Sequence, residues 1–112
     1  MYLTRETVME TMEYISSSTP SGSGIVFDYV LPPSSQKFLP GLVFRLLARR
    51  LSRIGEPWIC FLDPHLLIMD LKNFGFTQVE DMGPEEINER FFKDRSDKLM
   101  VGHFGHLMKA QL

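Results

Sequence analysis

The stretch Gly24-Ile-Val-Phe-Asp-Tyr-Val30 constrains this chain more than any other. A turn-forming run of Pro, Gly and Ser precedes it, Pro32-Pro33 halts it, and Ile25, Val26, Phe27, Tyr29 and Val30 put apolar groups on both alternating sides. Such a run is a strand, and apolar residues on both sides suit an inner strand of an α/β sheet covered on each face. Its one charge, Asp28, lies towards the carboxyl end. Ligands of open α/β sheets bind outside the carboxyl ends of strands, so Asp28 and Tyr29 are the first candidates for a site.

At 112 residues the chain has room for one core and therefore one domain. Hydrophobic residues make up 44% and charged residues 23%, which disfavours a disordered chain, a collagen or a disulfide scaffold. The net charge of -2 gives no general attraction to nucleic acid or to an anionic membrane, and neither is expected as a partner. Cys60, the single cysteine, cannot close an internal disulfide and fits a reducing compartment. No apolar run approaches the roughly 18 residues that cross a bilayer. Glu6, Glu10 and Glu13 interrupt the N-terminal pattern where a signal peptide would be apolar, so a cytoplasmic location is expected.

Taken in order, Thr4 offers an N-cap for a helix of about Arg5 to Ser17, with Val8, Met12 and Ile15 at helical spacing. After the central strand, Ser34 or Ser35 can cap a second helix to about Arg53, whose apolar face holds Leu39, Leu42, Val43, Leu46, Leu47, Leu51 and Ile54. Trp58 to Phe61 is a short extended piece. Asp63-Pro64 is a strong helix start, and Gly75 a fitting stop. Phe76 to Asp81 reads as a strand, Glu85 to about Lys93 as a helix, and Leu99 to Val101 and His106 to Leu112 as extended. Helices between successive strands mean an α/β fold.

Several side chains invite a chemical role that a plainer reading explains as well. His103 and His106 resemble a metal pair, but in an extended segment residues three apart point to opposite faces and no further ligands complete a site. His65 reads as a capping or surface residue, and Cys60, between aromatic neighbours, as a small core residue. Arg45, Arg49 and Arg53 form one helical stripe that could meet phosphate, or simply be the solvated side opposite the leucines.

Met1-Tyr-Leu-Thr-Arg-Glu6 with Val8, Val26-Phe-Asp-Tyr-Val30, Gly55-Glu-Pro57 with Phe61 and Asp63-Pro64, Gly75-Phe76 with Val79-Glu-Asp81 and Gly83, and Gly105-His-Leu107 occur in this order along nearly the whole chain. Together they resemble the C-terminal half of class I S-adenosylmethionine-dependent methyltransferases related to the leucine carboxyl methyltransferases. The resemblance implies a partial Rossmann-like sheet with flanking helices: Met1 to Leu3 would follow the fourth strand, Ile25 to Val30 would be the fifth, Phe76 to Asp81 the sixth, and His106 to Leu112 the antiparallel seventh. Tyr2 and Met1, at the end of the preceding strand, then join Asp28 and Tyr29 as candidate pocket lining.

In that family the methyl donor is held by a glycine-rich turn after the first strand and an acidic residue ending the second. Gly22-Ser-Gly24 precedes its strand, at the wrong end to serve, so this chain alone is expected to bind no S-adenosylmethionine. The implied acceptor is a small molecule or a carboxylate. With the fourth strand missing, the fifth becomes an exposed edge, which predicts a homodimer or a complex with a missing N-terminal half. The alternative is a non-catalytic α/β interaction module that pairs through the same edge.

Overall fold

In the computed structural model, which describes residues 3–32, 46, 49 and 60–112, Thr4 opens the first helix, its hydroxyl accepting from the Thr7 N–H at 3.3 Å. Helix α1 spans Arg5–Ser18. Its Met12 is buried, and Val8, Met9 and Ile15 pack partly buried beside it. A turn after α1 leads through Thr19 and Pro20 into strand β1, Gly24–Val30. Helix α2, Pro64–Asn73, starts as its sequence dictates: Asp63 Oδ1 accepts from the N–H groups of His65 and Leu66 at 3.0 and 3.2 Å. It stops at Gly75, whose φ of 103° suits a residue without a side chain. Arg5 of α1 reaches Asp70 of α2 at 2.6 Å.

Strand β2 covers Gln78–Met82, later than the expected Phe76 to Asp81, because Phe76 is a core plug with its N–H on the Leu71 carbonyl. The helix expected over Glu85 to Lys93 divides into α3, Pro84–Ile87, and a wider π-type turn, Asn88–Phe92. Strand β3 is Gly105–Gln111. Leu99 to Val101 forms no strand; Val101 is instead clasped by the Asn88 side chain, which donates to its carbonyl at 2.9 Å and accepts from its N–H at 2.7 Å.

The strands lie in the order β1-β3-β2, with β3 antiparallel to both. β1 and β2 therefore run parallel with a reversed strand between them, and the last strand is antiparallel as the resemblance implies. In register, Phe27 faces Met108 and Tyr29 faces His106, while Val79 and Asp81 of β2 face Ala110 and Met108. Ile25, Phe27, Tyr29, Met108, Ala110 and Val79 share a core with Met12, Leu67, Leu71 and Phe76. Fully buried Phe76, Leu67, Leu71 and Met108 each contribute about 1.5 to 3 kcal/mol by leaving water.

Among the described residues the Val26 side of β1 is covered only at its carboxyl end, where Val30 is buried. Val26 is 67% exposed and Asp28 is exposed, because α1 and α2 contribute to a core on the other side of the sheet. Among the described residues β1 pairs with a strand along β3 alone; on its outer edge the Val30 carbonyl accepts from the Leu62 N–H at 3.1 Å. The second helix, read over Ser34 to Arg53, and the start of the extended piece at Trp58 lie outside the described residues. Of that helix only Leu46 and Arg49 are described, both helical and both exposed, although Leu46 was expected on the apolar face.

Candidate functional site

The carboxyl ends of β1 and β2 and the amino end of β3 meet at one end of the sheet, as parallel strands with an antiparallel one between them must. Three polar side chains converge there on the core side. The Tyr29 hydroxyl donates to Asp81 Oδ1 at 2.8 Å, and His106 Nδ1 lies 3.1 Å from each Asp81 oxygen. Tyr29 Oη and His106 Nδ1 are 3.4 Å apart, with ring centroids separated by 5.4 Å. Asp81 thus takes the Tyr29 hydroxyl and lies within hydrogen-bond reach of His106 Nδ1 through both its oxygens. Burial, and then the hydrogen bond to Asp81 and its charge, push the Tyr29 phenol far above its ordinary pKa of 10.0. Tyr29 is therefore a fixed donor rather than a base.

The cluster borders a pocket of about 600 Å3 lined by Asp28, Tyr29, Val30, Ile87, Phe92 and Val101, and by the segment from Gly102 to Leu107 excepting His103. The Asn88 clasp on Val101 holds one wall in place, and the Leu31 N–H on the Phe104 carbonyl at 3.1 Å holds another. A Cβ on Gly105 would stand 2.8 Å from Val101 Cγ1, so glycine there permits the close approach of wall and strand.

Of the residues singled out by sequence, Tyr29 belongs to the cluster, while Asp28 lines the pocket from the opposite face of β1 and stays exposed. Tyr2 and Met1 lie outside the described residues. Asp81 and His106 were not assigned this role from sequence. The strand order carries the signal that finds them, since it puts the end of β2 and the start of β3 beside the end of β1. Among the described residues no group of three or more His, Cys, Asp or Glu side chains is placed to hold a metal ion. Cys60 is buried within the core.

The glycine cluster lies where β1 meets the end of β3. Gly22 donates its N–H to the Leu112 carbonyl at 3.0 Å, and a Cβ on Gly24 would stand 3.0 Å from the Ala110 carbonyl. These glycines serve strand pairing at the amino end of β1, opposite the Tyr29 cluster.

No protein-family model matches the chain. The chain is 30% identical to the "Putative S-adenosyl-L-methionine-dependent methyltransferase YktD" of Bacillus subtilis (strain 168), over 97% of its own length and 36% of that protein's. Among solved structures it is similar to a possible exported protein from Bordetella parapertussis, with a TM-score of 0.61 at 13% identity, covering 95% of this chain and 33% of that one; this likeness bears on the fold alone. The chain spans about a third of the length of each. No helix among the described residues is long and apolar enough to cross a membrane. The molecule is a mixed α/β chain whose three-stranded antiparallel sheet is compatible with part of a Rossmann-like fold, and its sequence is similar to that of a protein named as an S-adenosylmethionine-dependent methyltransferase.

Proposed function

We propose that this chain corresponds to the C-terminal portion of a class I S-adenosylmethionine-dependent methyltransferase of the leucine carboxyl methyltransferase-like kind. It would supply the acceptor side of an enzyme that methylates an oxygen or a carboxylate in the cytoplasm. The observation that carries this reading is the reversed strand β3 between parallel β1 and β2, in a chain similar to a protein named "Putative S-adenosyl-L-methionine-dependent methyltransferase". The methyl donor would sit on strands that such enzymes carry ahead of the matched segment. Isothermal titration of the purified chain with S-adenosylmethionine tests the division of labour. No heat of binding is expected, whereas micromolar affinity would mean that these residues build the donor site by another route.

A second reading, a non-catalytic α/β module that pairs with a second copy or a missing half, is favoured by the outer edge of β1. That edge carries one backbone hydrogen bond, from Leu62, among those the described residues make, and the strand presents Val26 at 67% exposure. An unpaired apolar edge is a template for another strand. Light scattering at tens of micromolar should show a dimer, and Val26→Lys should shift it towards monomer. A monodisperse wild-type monomer removes the self-pairing form of this reading.

A further inference from the structure

Backbone groups along β1 alternate in direction. In the antiparallel ladder with β3, the Leu31 N–H donates to the Phe104 carbonyl and the Leu112 N–H to the Ser23 carbonyl, so the odd-numbered residues of this stretch bond inward. The even-numbered ones point away, as the Val30 carbonyl does when it accepts from Leu62. Leu62 thereby closes the carboxyl end of the outer edge. Open along that edge, among the bonds the described residues make, are the N–H and carbonyl groups of Gly24, Val26 and Asp28. All three residues are exposed, Val26 by 67%.

These three residues are symmetric about Val26. A second copy related by a two-fold axis through Val26 places Val26 against its own counterpart and Gly24 against Asp28 in both directions. Every open group then finds a partner, in about six hydrogen bonds, two for each facing pair. Neighbouring registers do less. An axis at Phe27 brings Gly24 against Val30, whose carbonyl Leu62 already holds, and an axis at Ile25 leaves Asp28 opposite Gly22, whose N–H belongs to Leu112. An axis at Asp28 sets two carboxylates face to face.

The side chains agree with the Val26 register. On the core side it pairs Phe27 with Ile25 of the second copy, an aromatic with a β-branched residue, and both are only partly buried in the single chain. A groove of about 190 Å3 lies there, with Val8 and Met12 of α1, Phe27 and Leu62 among its walls. On the other side the two Val26 side chains meet, and Asp28 faces a glycine, which has no side chain to crowd or repel it.

We infer that two copies of this chain join their β1 strands antiparallel in the register centred on Val26, forming one continuous sheet of order β2-β3-β1-β1-β3-β2. The inference rests on the self-pairing form of the second reading and adds to it the register and the groups that fix it.

The test uses the full chain carrying Cys60→Ala, so that each introduced thiol is alone. In this register Val26→Cys brings two Cα atoms to about 5.5 Å, within disulfide reach, whereas those of Asp28→Cys stand about 13 Å apart along the strands. Mild oxidation should link most of the Val26→Cys chain and little of the Asp28→Cys chain. A dimer in which Asp28→Cys links, or Val26→Cys does not, overturns the register while edge pairing stands. Val26→Pro supplies a second variant, because the N–H it removes points away from β3. It should turn the dimer into a monomer whose β3 amides keep their protection, and a Val26→Pro chain that stays dimeric overturns the proposal. In wild type the Val26 amide should exchange at least about tenfold more slowly at tens of micromolar than at high dilution. A monomer whose Val26 amide is slow at every concentration would mean that another segment of the same chain fills the edge. A monomer with a fast one would remove self-pairing altogether, and either result overturns the proposal.

Discussion

His106 Nδ1 sits 3.1 Å from both carboxylate oxygens of Asp81, a residue 25 positions earlier on a strand antiparallel to its own. The same carboxylate takes the Tyr29 hydroxyl, so one acceptor joins all three strands of the sheet at its pocket end. Removing the acceptor should therefore cost more than removing either donor.

Asp81→Ala strips a partner from Tyr29 and from His106 at once. A loss of about 2 to 3 kcal/mol is expected, against about 1 kcal/mol for Tyr29→Phe, which removes one hydrogen bond and leaves Asp81 its contact with His106. Urea denaturation of the two variants compares them directly. Equal losses would show that Asp81 does not join the two side chains.

Alkaline pH should weaken the fold through Tyr29. Its phenol keeps the proton in the folded state well above the ordinary value of 10.0. Below that value both states are protonated and the contribution is fully present. Above it the unfolded chain releases the proton first, so stability falls as pH rises. Urea midpoints taken from about pH 9 to about pH 11 should decline for wild type more steeply than for Tyr29→Phe, and parallel slopes would rule out a buried, retained proton.

The pocket wall depends on Asn88. Because its amide both donates to and accepts from Val101, Asn88→Asp should fail as Asn88→Ala does: the carboxylate keeps the acceptor but faces the Val101 carbonyl with no donor. Each should lose about 1 to 2 kcal/mol, with faster hydrogen exchange concentrated at Val101 and its neighbours. If Asn88→Asp exchanged like wild type, the clasp would not be holding that segment.

Gly75 is required by the backbone rather than by space. Its φ is 103° and a Cβ there meets nothing within 4 Å, so Gly75→Ala should destabilise by about 1 kcal/mol through strain alone. Thermal unfolding would register this as a lower midpoint, and an unchanged midpoint would place the stop signal of α2 elsewhere.

Much of the local structure is legible from the residues. Thr4 and Asp63 cap their helices, Gly75 ends α2, and the run before Pro32-Pro33 is a strand, since each of these signals acts within a few residues of itself. Alternation along β1 shows that both of its sides are apolar but not which side is covered. Val26 and Phe27 are equally greasy, and only the packing of α1 and α2 into a shared core separates them. The polar cluster is further from view. Tyr29 and Asp81 are 52 residues apart and Tyr29 and His106 are 77 apart, distances over which propensity carries no information. What brings them together is ladder register, and register is settled by which long-range pairs bury the most apolar surface while satisfying every backbone hydrogen bond, a property of the assembled sheet and of no single segment.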